Sequence, residues 1–483
     1  MKTIAYYDDR LRPEDEARAF IGVDRFSCIR YRKRTLGEQV RAVLAGAGPV
    51  EVVEIADQDG AEAAARSLHD GDQQVRVVIW PSAVIFRDGA AATIVLAKMR
   101  HVQEPFRATP GRQDGPTVFF LDATSAAAVL RRPLWLDPEA SPIPGLQTLP
   151  DQAGLIDLTE RDQLFDLLSG TFDVRHFNSV RHDGLVVTKR SADVAKLRRE
   201  HDYYGHLASA AGPLRLFFLE PLAFRSGPDW AEYDLERIGA PDAAIQWIHG
   251  AFDAQRFARF LEKLGEFLRR RPLRPAAGGR AAAERLYLGK VVERQRQLRA
   301  HAAWPAIAGM LDRLDPGGLE AVTARFERQW RRFADRRRSW DEAISHGDLC
   351  LSNIIYCRQS RLMKFIDPRG AACESDLWMD ASYDLAKLSH SVLGDYDFIN
   401  HDLCELEVDR ELAVRLLVQA PNRTTHQAAF QAMLVDLGSD PGFVRACEAS
   451  LFLSMLPLHV DVPKKVVAFV AVARGILDRL EAT

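Results

Sequence analysis

A polar loop followed by two short apolar runs, near residue 350, constrains the fold of this chain more than any other feature. The loop, residues 345–353, reads Ser-His-Gly-Asp-Leu-Cys-Leu-Ser-Asn. The apolar runs at 354–356 and 363–366 are joined by the polar residues 357–361. Two short apolar runs joined by a polar loop predict a β-hairpin. Such a hairpin fixes the positions of the polar residues that flank its strands.

Three of those polar residues should meet at one end of the hairpin. Asp348 and Asn353 precede its first strand, and Asp367 follows its second. Asn occurs at only four of the 483 positions, so the spacing His-x-Asp-x-x-x-x-Asn is unlikely to arise by chance. Phosphoryl transfer uses a carboxylate that accepts the proton of the attacking hydroxyl, and amide and carboxylate oxygens that hold Mg²⁺. The alternative is a loop whose polar residues only cap and turn.

The segment resembles the catalytic loop of the aminoglycoside phosphotransferase and choline kinase family, which has the protein-kinase-like fold. The resemblance implies that Asp348 is the catalytic base and that Asn353 and Asp367 bind Mg²⁺. It also implies that His346 is a structural member of the loop. In that family a downstream Asp on a helix supports the loop, and Asp384 in Tyr-Asp-Leu-Ala-Lys is the candidate here. The alternative for Asp384 is a carboxylate that only offsets a helix dipole.

A kinase-like small lobe needs a strand Lys on the nucleotide phosphates and a helix Glu that orients it. Lys189 ends the apolar segment Leu-Val-Val-Thr-Lys, and Glu200 lies eleven residues further on a predicted helix. Lys accounts for only 11 of the 64 basic residues, which favours a specific role for Lys189. The alternative for Lys189 is an exposed Lys at a strand end. The alternative for Glu200 is a helix charge that faces solvent, in which case Asp202 or Glu220 would take its place.

The loop that would cover the phosphates is less distinct, because no Gly-x-Gly-x-x-Gly precedes Lys189. Residues 175–188 predict a hairpin, and 214–219 and 230–237 predict further strands. Asn178 and Ser179 lie where the covering loop should be and would donate hydrogen bonds to phosphate. An ordinary turn is an equally good interpretation of these two residues.

Three regions follow one another along the chain. Residues 1–150 predict an α/β domain with a parallel sheet, because apolar strands alternate with helices and a Pro-rich stretch ends the region. Residues 165–250 form the kinase-like N-lobe that the resemblance implies, and residues 251–483 form its mostly helical C-lobe. The predicted strands of the first region are residues 50–55, 75–80 and 118–121.

The N-terminal region resembles a nucleotidyltransferase of the GT-A type that has lost its signature. Such enzymes open with a Gly-rich loop carrying Arg and Lys, whereas this chain opens with Tyr-Tyr-Asp-Asp-Arg at residues 6–10. The resemblance therefore implies a degenerate domain that scaffolds, binds a product or pairs two subunits as a homodimer. Asp8 and Asp9 are candidates for binding a metal. The alternative is that they form a turn or a helix cap. An unrelated α/β domain is the alternative.

Five strings between about residue 165 and the C-terminus also resemble phosphotransferase domains encoded with bacterial capsule and surface-polysaccharide genes. That resemblance implies a sugar or sugar-like alcohol as the acceptor. Arg369 is a candidate for an acidic substrate group, whereas Asp376, Asp380 and Asp397 are candidates for hydroxyls or an ammonium. His459 forms a polar pair with Asp461 on the apolar C-terminal helices and is a further acceptor-site candidate. The alternative for each of them is a capping or internally satisfied polar group. The strings are residues 175–179, 188–189, 367–370, 383–388 and 394–398.

Composition limits the possible partners. Lys and Arg total 64 against 67 Asp and Glu, and this net charge of -3 argues against bulk nucleic-acid binding or a polybasic membrane anchor. The most apolar stretch, residues 466–477, is too short to span a bilayer. The six cysteines form no Cys-x-x-Cys pair, and the N-terminus has no apolar signal core. We expect a cytoplasmic protein without membrane insertion.

These features together predict an ATP- and Mg²⁺-dependent O-phosphotransferase with a small-molecule acceptor. One alternative is a pseudokinase that only binds or scaffolds, which the degenerate N-terminal region would suit. Another is an aminoglycoside-type antibiotic kinase, although the acidic stretch 374–384 that would attract a cationic drug is offset by many Arg residues.

Overall fold

A computed structural model of the chain shows two compact units, Met1–Asp173 and Val174–Thr483. The predicted boundary lay between residues 150 and 165. Within the described residues no helix is long and apolar enough to cross a membrane. The structure describes residues 2–482 except 32–33, 70–74, 100, 102–103, 111–114, 134, 137–142, 144–145, 150–153, 170–177, 184, 316, 409–413, 419 and 421.

The first unit alternates strands with helices. Its strands are β1 (Lys2–Asp8), β2 (Arg30–Tyr31), β3 (Arg34–Thr35), β4 (Val50–Ile55), β5 (Val75–Pro81), β6 (Val84–Phe86), β7 (Phe106–Ala108), β8 (Val118–Leu121), β9 (Gln147–Leu149) and β10 (Leu155–Asp157). Its helices are α1 (Asp15–Ile21), α2 (Leu36–Gly46), α3 (Gln58–His69), α4 (Gly89–Met99), α5 (Ala123–Arg131) and α6 (Arg161–Ser169).

The main sheet of this unit has the order β4-β1-β5-β8-β7-β9. β1 runs parallel to β4 and β5, but β8 runs antiparallel to both β5 and β7. The expectation of a parallel sheet was therefore wrong for the pairs that β8 forms with β5 and β7. Only nine residues separate β7 from β8, which is too few for a parallel crossover and suits an antiparallel pair.

The start of α2 illustrates how local sequence sets these elements. Thr35 accepts a hydrogen bond from the Glu38 backbone N–H at 3.2 Å, and the Glu38 carboxylate accepts one from the Thr35 N–H at 2.7 Å. This capping box satisfies two amides at the helix N-terminus. Leu36, Val40 and Leu44 then recur on one face and are buried, as the apolar spacing predicts.

The second unit begins with a strand-rich lobe and continues with helices. Its strands are β11 (Asn178–Asp183), β12 (Val186–Ser191), β13 (Pro221–Ser226), β14 (Ala231–Glu236), β15 (Leu273–Pro275), β16 (Asp341–Ile344), β17 (Ile354–Cys357), β18 (Leu362–Phe365), β19 (Trp378–Asp380), β20 (Cys404–Val408) and β21 (Val414–Val418). Its helices are α7 (Val194–Ala211), α8 (Ala243–Ile248), α9 (Ala254–Arg270), α10 (Gly279–Glu284), α11 (Lys290–Arg299), α12 (Trp304–Leu314), α13 (Gly318–Ala334), α14 (Tyr383–Val392), α15 (Tyr396–Asn400), α16 (Arg423–Asp436), α17 (Pro441–Met455) and α18 (Pro463–Glu481).

The strand-rich lobe is an antiparallel sheet of order β11-β12-β14-β13, and α7 packs against it. The predicted hairpin is present as β11 and β12, with Asp183 opposite Val186. The strand predicted at 214–219 is wrong, because Gly212–Phe217 is a 3₁₀ helix. Pro213 lies at its start, and Leu214 and Phe217, three residues apart, are both buried.

The helical lobe encloses an apolar core that includes Phe326, Trp330, Phe452 and Phe469, contributed by α13, α17 and α18. Three small strand groups lie in the described part of this lobe: the sheet β15-β16-β19 and the hairpins β17-β18 and β20-β21. The hairpin predicted from the apolar runs is confirmed, with Ile354 opposite Phe365. The β20-β21 hairpin was not predicted.

Candidate functional site

The β17-β18 hairpin brings the loop residues together at one end. Asn353 precedes β17 and Asp367 follows β18, and the Ile366 N–H donates to the Asn353 carbonyl at 3.0 Å. Asp367 has a φ of 55°, in the left-handed region that Asp tolerates better than most residues. The chain therefore turns away from β18 at Asp367, whose side chain remains 48% exposed.

Asp384 holds the start of the catalytic-type loop from the first turn of α14. Its Oδ2 accepts a hydrogen bond from the His346 N–H and its Oδ1 accepts one from the Gly347 N–H, both at 2.9 Å. Arg271 Nη1 donates to Oδ2 at 3.1 Å, and the whole arrangement is buried. Gly347 has a φ of 80°, and a Cβ there would lie 2.6 Å from the Arg369 Cβ. The loop thus needs glycine at this position.

His346 connects the loop to the hairpin. Its Nδ1 accepts a hydrogen bond from the Asp348 N–H at 3.2 Å, and its Nε2 lies 2.9 Å from the Ile366 carbonyl oxygen. These contacts assign the hydrogen to Nε2. Burial lowers the pKa of His346, so the ring is neutral and works as a structural bridge, with the Phe218 ring stacked on it at 5.8 Å.

Asp348 lies within this framework and is paired with a lysine. Lys387 Nζ lies 2.7 Å from Asp348 Oδ1. Burial raises the pKa of Asp348, but the attraction and hydrogen bond of Lys387 outweigh it and bring that pKa to about 2. The Asp348 side chain is still 44% exposed. An ionised carboxylate is therefore within reach of a molecule from solvent.

Sequence reasoning missed Lys387. A signal was present, because Lys387 follows Asp384 by three residues on α14, and residues three apart share a helix face. If Asp384 holds the loop, the next side chain on that face points toward the loop as well. Lys387 is only 19% exposed. Burial lowers its pKa, but the neighbouring Asp348 raises it further, so the net pKa is well above the usual lysine value.

Lys189 lies between two carboxylates. Its Nζ donates to Glu200 Oε2 at 2.5 Å and to Asp367 Oδ1 at 2.9 Å. Burial lowers the pKa of Lys189, but the attraction of Asp367 and Glu200 outweighs it and leaves the pKa raised. Burial also raises the pKa of Glu200. The ammonium is thus charged and is oriented by a buried partner toward the exposed Asp367.

The two alternatives for the glutamate lie elsewhere. Asp202 Oδ1 contacts His201 Nδ1 at 3.3 Å, and Glu220 pairs with Arg215. Lys189 faces Tyr233 across the β12-β14 pair, and Glu200 reaches it from α7. The structure therefore brings Lys189, Glu200 and Asp367 together across 178 residues of sequence.

The predicted phosphate-covering residues are described only in part. The backbones of Asn178 and Ser179 open β11, opposite Ser191 and Arg190. Their side chains, like the preceding residue Phe177, lie outside the described residues. Their proposed hydrogen bonds to phosphate stay a prediction.

The donor set fits a magnesium ion that shares its ligands with a nucleotide. Asn353 Nδ2 donates to the Asp348 carbonyl at 2.8 Å, which leaves the amide oxygen to bind a cation. Asp367 adds an exposed carboxylate, and Mg²⁺ prefers such oxygen ligands together with substrate phosphates. No cluster of three or more His, Cys, Asp or Glu side chains is placed to hold a metal among the described residues. The phosphates would therefore supply the remaining ligands.

The acceptor candidates separate into two groups. Arg369, Asp376 and Asp380 line one cavity of about 550 Å³. Asp380 accepts hydrogen bonds from the Tyr287 hydroxyl at 2.9 Å and the Ser382 N–H at 3.0 Å, and burial raises its pKa. Asp376 accepts from the Ala372 N–H at 2.9 Å.

The structure does not bring His459 to this cavity. It is buried in the helical lobe, with its ring 5.1 Å from that of Phe469. Arg369 is exposed, and no carboxylate pairs with its guanidinium among the described residues.

One family model matches this chain. Residues 105–397, more than half of the chain, match the family model described as "Phosphotransferase enzyme family". No curated protein matched this sequence.

Several solved structures are similar at low identity. An aminoglycoside phosphotransferase, APH(3'')-Id, from Streptomyces rimosus in complex with ADP and streptomycin is 17% identical with a TM-score of 0.35, over 59% of this chain and 88% of that one. The GDP complex of aminoglycoside 2'-phosphotransferase-IIIa is 13% identical with a TM-score of 0.36, over 67% and 99%. Macrolide 2'-phosphotransferase MphH from Brachybacterium faecium is 14% identical with a TM-score of 0.32, over 65% and 97%.

Proposed function

Since this chain belongs to the phosphotransferase enzyme family and is a small-molecule phosphotransferase, we propose that it moves the γ-phosphoryl group of ATP to a hydroxyl of a sugar or sugar-like alcohol, in surface-polysaccharide metabolism. The observation that carries the proposal is the joint placement of Asp348, Asn353 and Asp367 around the hairpin end, with Lys189 bonded to Asp367 at 2.9 Å. The acceptor class comes from the sequence resemblance.

Lys189 would neutralise charge on the nucleotide phosphates. Glu200 holds its ammonium at 2.5 Å from the buried side, so little side-chain freedom is lost when phosphate binds. Asn353 and Asp367 would hold Mg²⁺, which when bound neutralises charge that develops on the transferred group. The short contact between Lys189 and Asp367 then gives way to contacts with the nucleotide and its cation.

Asp348 would orient the acceptor hydroxyl and receive its proton. With a pKa of about 2 this carboxylate is ionised but weakly basic. Phosphoryl transfer through a loose transition state demands little base strength until the new P–O bond forms. Positioning is therefore the main contribution of Asp348, and the contacts of Asp384 and His346 to the loop fix that position.

The test is ADP release from Mg·ATP, with the full chain and a panel of sugars, amino sugars, sugar phosphates, choline and aminoglycosides. Asp348→Asn serves as the blank for each acceptor. We expect acceptor-dependent ADP release that the variant lacks. If no acceptor in the panel gave ADP release and calorimetry showed no binding of Mg·ATP, the proposal would be contradicted and a scaffold function favoured. The same panel covers the antibiotic-kinase alternative.

For the first unit we keep the proposal of a degenerate nucleotidyltransferase-like domain. The proposal is supported by the contacts of Asp8 and Asp9, the two acidic residues at the end of β1. Asp8 pairs with Arg10 at 2.7 Å, and Asp9 accepts from Ser27 at 2.7 Å and from Arg25 at 3.0 Å. Both carboxylates are buried in these contacts and are poorly placed to hold a catalytic metal. A subunit-pairing role for this unit is tested by sedimentation of the full chain, which shows whether the chain forms a dimer.

A further inference from the structure

A second cavity, of about 350 Å³, shares Arg369 and Leu286 with the first. Four of the side chains that line it are cationic: Arg285, Lys290, Arg294 and Arg369. Its single acidic lining residue is Glu293. We call these four cations the basic pocket. The chain as a whole carries a net charge of -3, so this excess of positive charge is a local feature.

No ion pair among the described residues neutralises the cations of the basic pocket. Glu293 pairs with Arg296 at 2.7 Å, and Arg296 does not line the cavity. Arg294 bonds to the neutral Gln297 at 2.9 Å. In the described part of the chain, no carboxylate lies within ion-pair distance of any of the four cations. Like charges held together repel one another, which costs stability unless an anion joins them.

The backbone arranges three of these cations along one line. A π-helical turn, Arg285–Gly289, joins α10 to α11. In a π turn residue i+5 lies above residue i, so Arg285 aligns with Lys290. Arg294 follows Lys290 by four residues on α11 and shares its face. Single π turns are rare and are frequent at functional sites, and here the extra residue is what brings Arg285 into line.

The basic pocket faces the catalytic loop. Lys290 Nζ donates to the Tyr383 hydroxyl at 3.3 Å, and the Arg369 guanidinium lies 6.0 Å from the centre of the Tyr383 ring. The Arg369 N–H donates to the His346 carbonyl at 2.9 Å. The charge of Lys290 is also among those that lower the pKa of Asp348. The side chains that line this pocket are therefore joined to the catalytic loop and α14 through Tyr383 and the Arg369 backbone.

We propose that the basic pocket binds an anionic group of the acceptor, so that the substrate is an alcohol already carrying a phosphate or carboxylate. This inference rests on the proposed kinase function. Arg side chains form paired hydrogen bonds with such groups. A polycationic acceptor such as an aminoglycoside would meet four like charges, and that repulsion selects against it.

The test is a calorimetric titration of the full chain with sulfate at constant ionic strength, after saturation with Mg·AMP-PNP so that the nucleotide phosphate positions are occupied. We expect one sulfate to bind per chain. Arg285→Gln and Arg294→Gln should each weaken that binding by about tenfold or more, because each removes a hydrogen bond to a charged group. Both residues lie at the surface, so unchanged thermal unfolding checks the fold.

Arg299→Gln is the matched control. Arg299 lies on the same helix and pairs with Glu320 at 2.8 Å, away from the cavity. Its loss removes the same charge and should leave the sulfate affinity unchanged. The absence of sulfate binding, or equal affinity in all three variants and the wild type, overturns the proposal.

Two further outcomes separate this proposal from the kinase function. If AMP-PNP does not bind, the kinase function fails, and the same sulfate titration on the nucleotide-free chain still tests the pocket. Once an acceptor is found, kcat/KM should be higher for its phosphorylated or carboxylated form than for the uncharged or aminated form, and Arg294→Gln should reduce that difference. The opposite preference overturns the proposal.

Discussion

Lys387 Nζ lies 2.7 Å from Asp348 Oδ1, and both residues are positioned by α14. This helix supplies Asp384, which holds the backbone of the loop, and Lys387, which holds its carboxylate. Because the two are three residues apart, one helix face sets both the position and the charge of Asp348. The loop and α14 therefore act as one unit.

Replacing Lys387 should change the pH dependence of catalysis. In the wild type Asp348 has a pKa of about 2 and stays ionised over the range in which enzymes are assayed. In Lys387→Met the effect of burial loses its main opposing influence, so the pKa of Asp348 rises, although His346 and Lys290 still act to lower it. We expect kcat/KM of the variant to fall on acidification at a higher pH than in the wild type, because the Asp348 carboxylate is protonated at a higher pH.

The control for that profile is Lys387→Arg, which keeps a positive charge and should keep the wild-type acidic limb. Circular dichroism at each pH establishes that the chains remain folded. An unchanged profile in Lys387→Met would show that Lys387 does not set the ionisation of Asp348.

The contact between Asp384 and Arg271 should be important for stability. Asp384→Ala leaves the buried Arg271 without its partner and the His346 and Gly347 amides without their acceptor. Breaking a buried pair on one side costs about 3–5 kcal/mol. We expect the free energy of unfolding, measured with urea, to fall by about that amount.

Asp376→Asn is the comparison for that measurement, since Asp376 is exposed and surface changes usually stay within about 0.5 kcal/mol. Equal stability of the Asp384 and Asp376 variants would contradict the role given to Asp384.

Removal of Lys189 should weaken the interaction with nucleotide. Lys189→Met removes the ammonium that Glu200 orients, and we expect kcat/KM for ATP to fall by about 100-fold, as for loss of a strong charge-assisted contact. Lys196→Met is the matched control, because Lys196 lies 3.8 Å from Glu200 on the exposed side of α7. Similar losses in the two variants would mean that Lys189 has no specific role.

The magnesium requirement should depend on Asn353. In Asn353→Ala the amide oxygen is lost, and the Mg²⁺ concentration for half-maximal ADP release should rise by about tenfold or more. Asn400→Ala serves as a control, because Asn400 contacts Lys465 in the helical lobe. An unchanged magnesium dependence in Asn353→Ala would remove this residue from the proposed metal site.

Local patterns in the sequence predicted the hairpin at 354–366 because its apolar runs and polar loop lie next to each other. The same holds for Lys189 and Glu200, which are eleven residues apart. Contacts across long separations were not visible. Arg271 reaches Asp384 across 113 residues, and no spacing rule connects them.

One wrong prediction and one missed feature have a tertiary cause. Residues 214–219 alternate like a strand, but Phe217 packs on Phe267 and Phe365 within a mixed aromatic cluster, and the chain there is a 3₁₀ helix. Packing outweighed the local preference. The basic pocket depends on a π-helical turn, and a helix with ordinary spacing would not have aligned Arg285 with Lys290.

The most direct test of the central claim is the turnover of Asp348→Asn with the acceptor found in the panel, measured beside its affinity for Mg·AMP-PNP. We expect kcat to fall by about 100-fold or more while the nucleotide Kd stays at the wild-type value, because Lys189, Asn353 and Asp367 are intact. Turnover at the wild-type rate would contradict the assignment of Asp348 as the residue that orients and deprotonates the acceptor.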